Sequence, residues 1–277
     1  MINESREKRN FRRVEQGGGS EFLDADFRTH IYPRHFHDRY VFGVVTRGGE
    51  AFYYRGCQHI AAAGEIVVLN PGEVHDGMGA DAEGWAYRMS YLPPEAVLLG
   101  QEGCGELPFF REPVIRDSWL ADRYSRLHST VTDSLADRLT RDSFFLNTLA
   151  ELVIRHGDRG QPHHKGRREG RAVAWVREYL HTHYAEDVTL DDLAALAGLT
   201  PLYLIKVFRK TVGLPPHAYL IQRRILAAMQ GLREGLPIAA VAAECGFADQ
   251  SHLTRNFKKM IGVTPGEFRA GSFKKTL

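Results

Sequence analysis

The feature that most constrains this chain is an internal repeat in its last third. Leu193-Ala194-Ala195-Leu196-Ala197-Gly198-Leu199 returns 48 residues later as Val241-Ala242-Ala243-Glu244-Cys245-Gly246-Phe247. Phe208-Arg209-Lys210, Gly213, Pro216 and Tyr219 return 49 residues later as Phe257-Lys258-Lys259, Gly262, Pro265 and Phe268. The one-residue slip falls in the turn or the first turn of the next helix, where an insertion costs least. Each copy reads as a short helix, a tight turn and a second helix. In the first copy Thr189 N-caps a helix with Asp191 and Asp192 at its positive end. Gly198 ends that helix, and Thr200-Pro201 starts the next. In the second copy Pro237 opens a helix, Gly246 closes it and Asp249 caps its successor. The expectation is an all-α double helix-turn-helix unit over residues 171–277.

The second helix of each copy sorts its residues by face. Leu204, Val207 and Phe208 fall on one side of the first, with Leu202, Ile205, Lys206 and Arg209 on the other. Leu253, Phe257 and Met260 fall on the inner side of the second, with Gln250, Ser251, Thr254, Arg255 and Lys258 outward at steps of three and four. Amide, hydroxyl and guanidinium groups on an outward helix face match base edges and phosphates in a major groove. Charge points the same way. From Gly166 onward there are 16 Lys and Arg against 10 Asp and Glu, whereas the first 165 residues hold 20 against 24. A basic C-terminal part joined to an acidic N-terminal part predicts that the former meets a polyanion, here double-stranded DNA.

The rest of the chain has a different texture. Residues 1–20 are polar and end in Gly17-Gly18-Gly19-Ser20, which reads as a flexible arm. Residues 21–116 carry short β-like runs, such as Val41 to Thr46, Phe52 to Tyr54, Ile66 to Leu69 and Trp85 to Tyr91, with Gly and Pro between them. That spacing predicts a small barrel or sandwich. A helical pair is expected over residues 117–158. Its first helix, Asp117 to Asp133, carries Leu120, Tyr124, Leu127 and Val131 spaced like a coiled-coil seam, which predicts a homodimer held by that stripe. Its second, Arg141 to His156, carries Phe145, Leu149 and Leu152. Residues 159–170 have Gly, Pro and charge but no apolar side chain and read as a linker, with His163-His164 as solvated histidines. Cys57, Cys104 and Cys245 are far apart and odd in number, which argues against a disulfide framework. The chain has no apolar run long enough for a membrane span and no secretory segment near Met1, so a cytoplasmic protein is expected.

The C-terminal residues resemble the AraC-type regulator family. The resemblance rests on Leu193 to Val212 and, more specifically, on Ile238 to Pro265, including Glu244-Cys245-Gly246-Phe247-Ala248-Asp249-Gln250-Ser251 and Phe257-Lys258-Lys259. It implies seven helices, with a long one from about Pro216 to Leu232 holding two recognition helices about 34 Å apart, one DNA turn. It also implies DNA contacts at Leu202, Ile205, Lys206, Gln250, Ser251, Thr254 and Arg255. Ile205 stands where the family commonly has a polar residue and Lys206 where it commonly has Arg, which shifts the first helix toward methyl and phosphate contacts.

The N-terminal part resembles the cupin motifs in His35-Phe36-His37, Gly48, Gly64, Pro71-Gly72 and His75. AraC-type proteins carry a cupin-like effector domain at this position. The fold class expected is therefore multidomain: an all-β cupin-like barrel with two following helices, then the all-α double helix-turn-helix. Barrel mouths hold small ligands with a few polar groups and an aromatic lining. The candidate effector residues are His35, His37, Asn70, Glu73, His75, Trp85, Tyr87, Arg88 and Met89. Arg88 falls on the opposite strand face by period and needs a bulge to join them. Asn70 to Gly77 with Trp85 to Tyr91 also looks like an AraC subgroup linked to amino-acid exporters, which suggests a small zwitterion. This reading assigns no catalytic residue, cofactor or metal. The alternative is a metal-dependent cupin enzyme with an appended DNA-binding module, in which His35, His37 and His75 bind Zn²⁺, Fe²⁺ or Mn²⁺. Its weakness is that Tyr40 or Val41 stands where the cupin carboxylate is expected. A third reading, an architectural DNA binder, needs no ligand.

Overall fold

The computed structural model describes residues 8–99, 106–132, 137–159 and 168–270. The chain divides into two compact units, with the division in sequence between Pro162 and His163.

The first unit is two antiparallel sheets and a helical layer. One sheet has six strands in the order β1 (Lys8–Arg13), β2 (Glu21–Phe27), β9 (Trp85–Leu92), β4 (Tyr40–Arg47), β7 (Ile66–Leu69) and β11 (Val114–Ile115). The other has four in the order β3 (Ile31–His35), β8 (His75–Gly79), β5 (Gly49–Tyr54) and β6 (Cys57–Ala62). A two-residue ladder joins β10 (Pro108–Phe109) to β12 (Asp158–Arg159). The helices are two short ones, α1 (Gln16–Gly19) and α2 (Pro94–Leu98), and two long ones, α3 (Ser118–Thr132) and α4 (Arg138–His156).

Strand β4 is a near-continuous apolar run because both its faces are covered. Alternation divides the sheet's side chains between two cores. Tyr40, Phe42 and Val44 of β4, Ile66 and Val68 of β7 and Phe22 of β2 pack with Leu120, Tyr124, Leu127 and Val131 of α3 and with Phe145, Leu149 and Leu152 of α4. Val41, Val45, Val67, Leu69, Leu23, Ala25 and Phe27 turn the other way and meet Phe52 and Tyr54 of the second sheet, together with Trp85, Tyr87 and Met89 of β9. Gly43 is glycine because a Cβ there would lie 1.9 Å from Met89 Sδ.

Four expectations change here. Residues 8–20 are no loose arm: β1 pairs with β2 in a six-residue register, Lys8 with Asp26 through Arg13 with Glu21. The linker read over 159–170 is shorter at both ends, since Arg159 pairs with Pro108 and α5 begins at Arg168; residues 1–7, residues 160–167 with His163-His164, and Cys104 lie outside the described residues. The α3 stripe does not face a partner copy, because all four of its side chains are spent inside this chain's own core. Met260, expected inward, is half-buried. The heptad-like spacing was real, but a sheet surface uses a helix stripe as readily as a second helix does.

Among the described residues the second unit has seven helices: α5 (Arg168–Thr182), α6 (Leu190–Ala197), α7 (Pro201–Val212), α8 (Pro216–Arg233), α9 (Ile238–Glu244), α10 (Gln250–Ile261) and α11 (Pro265–Arg269). Thr189 and Asp192 form a reciprocal capping box on α6, and Gly198 ends that helix at φ 63°. Asp249 caps α10 by accepting from the His252 N–H at 2.6 Å. The repeat has a packing reason. Phe208 meets Tyr219 edge-on at 5.6 Å between ring centroids, and Phe257 meets Phe268 edge-on at 5.2 Å. The same aromatic lock closes each helix-turn-helix onto the helix that follows it.

Leu127→Ala should destabilise the first unit by about 2–5 kcal/mol, the usual cost of a large-to-small change in a closed core. Chemical unfolding checks the loss. Sedimentation should show the same oligomeric state as the parent, because Leu127 faces its own sheet.

Candidate functional site

Two surfaces carry the candidate residues, one in each unit. On α7, Leu202 is 82% exposed, Lys206 and Arg209 are exposed, and Ile205 is half-buried. On α10, Gln250, Ser251, Arg255 and Lys258 are exposed, while Thr254 is half-buried. The Thr254 hydroxyl donates to the Gln250 carbonyl at 2.8 Å, which leaves its oxygen able to accept. Among the described residues Arg255, Lys206, Arg209 and Lys258 form no ion pair with this chain's own carboxylates. Opposite them Leu253 and Phe257 of α10, and Leu204 and Phe208 of α7, are fully buried. The amphipathic division thus presents cations on the outer face of each second helix, joined on α10 by the Gln250 amide and the Ser251 hydroxyl.

In the first unit, β3, the loop after it and β8 bring three histidines together. Their nearest ring nitrogens all lie within 4.8 Å of one another. His35 ends β3 and pairs in register with His75 at the start of β8, whereas His37 lies two residues beyond the strand. The loop carrying His37 is pinned, since the Gly72 N–H donates to the His37 carbonyl at 2.7 Å. Gly72, at φ 74°, forms the turn before His75. Burial lowers the proton affinity of all three rings; neighbouring His35, His75 and Arg39 lower that of His37 further, and His35 lowers that of His75.

From this cluster a run of rings leads between the sheets. His35 lies 5.9 Å from Tyr32, and Tyr32 lies 6.3 Å from Trp85, which lies 4.8 Å from Tyr87. The Tyr32 and Tyr87 hydroxyls share a hydrogen bond of 2.9 Å. His37 lies 5.0 Å from Tyr91. Glu50 is buried nearby, beside Gly77, with its Oε2 lacking a hydrogen-bond partner among the described residues. Trp85 Nε1 is likewise buried without a partner. A buried polar atom left unpaired is costly and calls for a partner such as water, an ion or a ligand.

Sequence reasoning missed Glu50 and Tyr32. The available signal for Glu50 was its step-of-two register with Phe52 and Tyr54 in β5, which puts a carboxylate on the inward face. Three expected pocket residues have other work. Asn70 donates to the Phe110 carbonyl at 2.8 Å and accepts from the Phe110 N–H at 2.9 Å. Glu73 accepts from the Tyr54 hydroxyl and pairs with Arg55 at 2.6 Å. Together they tie the end of β7 to the segment around Phe110. Arg88 stays on the helix side of β9, as no bulge intervenes, and there it meets Asp24 at 3.7 Å and the Ser125 carbonyl at 3.2 Å. It lines a solvent-open cleft of about 440 Å³ with Asn10, Arg12, Asp24 and His128, a lining that includes none of His35, His37 and His75. Trp85, Tyr87 and Met89 are buried between the sheets.

A β unit with a cluster of histidines, aromatic rings and a buried carboxyl at its sheets and a double helix-turn-helix unit define a class: a DNA-binding regulator with a ligand-binding domain. Residues 17–149 match the AraC-like ligand binding domain, and residues 193–271 match a helix-turn-helix domain. The HTH-type transcriptional regulator YbfI of Bacillus subtilis is 32% identical over 229 residues, covering 80% of this chain and 81% of that protein. The arabinose operon regulatory protein of Salmonella typhimurium is 26% identical over 259 residues, covering 84% of each. The crystal structure of ToxT from Vibrio cholerae covers 98% of this chain and 100% of its own, with a TM-score of 0.55 at 11% identity, and so shares the fold. The chain belongs to the AraC-type family of transcription regulators and is a ligand-responsive, DNA-binding member of it. No helix among the described residues is long and apolar enough to cross a membrane.

Burial pushes the Glu50 carboxyl up to about 8. The unfolded chain releases that proton near its ordinary 4.5 and the folded one near 8, so stability falls as pH rises through that window. Glu50→Gln removes the loss. Without added metabolite, the variant should unfold at higher denaturant than the parent at pH 8.5, by a few kcal/mol at about 1.4 kcal/mol per pKa unit. That advantage should shrink toward pH 5; equal midpoints at both pH values contradict a buried, unpaired carboxylate.

Proposed function

We propose that this regulator senses a small polar metabolite, with amino acids within its range, in the recess lined by His35, His37, His75, Tyr32, Tyr87, Trp85 and Glu50. The observation that carries this reading is the pair of unpaired buried atoms, Glu50 Oε2 and Trp85 Nε1. Trp85 Nε1 donates, and Glu50, protonated at neutral pH because burial raises its pKa to about 8, can donate or accept, so a fitting ligand offers an oxygen acceptor to the indole and a hydroxyl, amine or carboxylate to the carboxyl, as a zwitterion or a polyhydroxyl compound does. The rings supply apolar contact area around those two polar points. Met89 closes the recess by packing rather than by hydrogen bonding. The chain works as a regulator without catalysis, as a homodimer whose interface lies outside the α3 stripe. Leu202, Ile205, Lys206, Arg209, Gln250, Ser251, Thr254, Arg255 and Lys258 face DNA.

A ligand acts only through its differential affinity for two states of the protein. A typical coupling of about 1–3 kcal/mol shifts operator affinity about 5–150-fold. Calorimetry of the full chain against amino acids, amines and sugars tests the pocket. Binding should disappear in a His75→Ala, Tyr87→Ala double variant that keeps its fold by circular dichroism; binding that survives it refutes the assignment.

On the DNA side, Arg255→Ala should cost about 1–3 kcal/mol of specific affinity, the worth of a bidentate base contact. Gln250→Ala should cost less. Mobility-shift titration measures both, and an unchanged affinity for Arg255→Ala removes α10 from the base-reading role.

A further inference from the structure

We propose that the cleft on the helix side of the six-stranded sheet is a second binding site, which takes a small metabolite by its carboxylate or phosphate group. The strand register builds it. Asn10 and Arg12 of β1 pair with Asp24 and Phe22 of β2, and these pair with Arg88 and Ser90 of β9. Alternation therefore sets Asn10, Arg12, Phe22, Asp24 and Arg88 on one sheet face, the face that carries α3. The C-terminal half of α3 supplies the opposite wall with His128, Ser129 and Thr132. The volume of about 440 Å³ falls within the range of about 300–1,000 Å³ usual for small-molecule sites.

The donors select an anion. Arg12 Nη1 donates to the Thr132 carbonyl at 2.5 Å, which anchors the guanidinium to the last residue of α3. Its Nε and Nη2 form the two-pronged edge that matches a carboxylate or phosphate, and neither has an acceptor among the described residues. Arg88 Nη1 donates to the Ser125 carbonyl at 3.2 Å and to Ser129 Oγ at 3.3 Å, which leaves Nη2 without an acceptor among the described residues. Each guanidinium is thus held by one nitrogen and open at another. The Asn10 amide is exposed and adds a further donor.

Charge agrees with this. Two guanidinium groups stand against one carboxylate, Asp24, which lies 3.7 Å from Arg88 Nε and is half exposed. His128 contributes no charge near neutral pH, because burial pushes its pKa down to about 4. The lining therefore keeps one positive charge in excess. Phe22 and His128 are buried and meet edge-on at 5.2 Å, so the surface left to a ligand is polar. A cationic amine is repelled there, and a neutral sugar leaves the two-pronged edge of Arg12 unmatched. The cleft shares no residue with the recess between the sheets, and the proposal stands without that reading.

The test is calorimetry of the full chain with citrate and, separately, with inorganic phosphate, in low-salt buffer free of both. At least one of them should bind once per chain; citrate alone marks a carboxylate site and phosphate alone a phosphate site, and either supports the proposal. Arg12→Gln should weaken that binding at least tenfold. Arg12→Lys, which keeps the charge but not the two-pronged edge, should weaken it several-fold. Circular dichroism checks that both variants fold. Phenylglyoxal modification of the parent, mapped by peptide mass, locates the anion independently. The bound anion should slow modification of Arg12 at least threefold and leave the exposed Arg116, at the other edge of the sheet, unchanged. If the Arg12 variants fail to fold, this protection decides. No uptake of either anion, uptake that Arg12→Gln leaves unchanged, or an Arg12 that reacts equally fast with and without anion overturns the proposal.

Discussion

The first unit depends on a sheet that has no solvent face along its centre. Over residues 40–45 of β4 and most of β9 side chains are buried on both sides, so these residues are divided between the helical core and the space between the sheets. That partition gathers the ring cluster between the sheets. Tyr87 and Trp85 reach it because Arg88 and Ser90 take the other side, where Ser90 bonds the Tyr124 hydroxyl of α3. A slip of one residue would exchange the two sets and put a guanidinium among the rings. The helices are thus more than an attachment: the α3 and α4 stripes fix which face of the sheet is left to line the recess.

In the second unit the same economy operates with a helical period. Each second helix is held from behind by a buried Leu and Phe, and by the edge-on ring contact with the next element. The outward residues carry little of the packing, and a cation such as Arg255 forms no ion pair among the described residues. Gly246 marks where backbones come closest, since a Cβ on it would lie 2.5 Å from the Ala185 carbonyl oxygen. That contact seats the start of the second motif against the end of the segment that opens the unit.

How much of this was legible in the sequence follows the range of each interaction. The caps Thr189 and Asp249, the stop at Gly198 and, apart from Met260, the face assignments of α7 and α10 are local, and they read correctly from neighbouring residues. The three histidines were legible as a group because a strand end and a Pro-Gly turn are short-range devices. What failed was non-local. The sequence does not say whether the Leu120, Tyr124, Leu127, Val131 stripe meets another copy or its own sheet. Nor does it say that Asn70 and Glu73 are claimed by Phe110, Tyr54 and Arg55, or that residues 8–13 find a strand edge on β2. Glu50 was hidden for a simpler reason, because a single carboxylate in a strand is ordinarily solvent-facing.

The central claim is that both helix-turn-helix motifs of this chain engage DNA as paired readers. Hydroxyl-radical footprinting of the purified protein on its operator tests this most directly. The account predicts, for each bound chain, two protected patches on one face of the duplex, separated by about one helical turn of 10–10.5 base pairs. A single protected patch per chain, or protection on opposite faces, contradicts it.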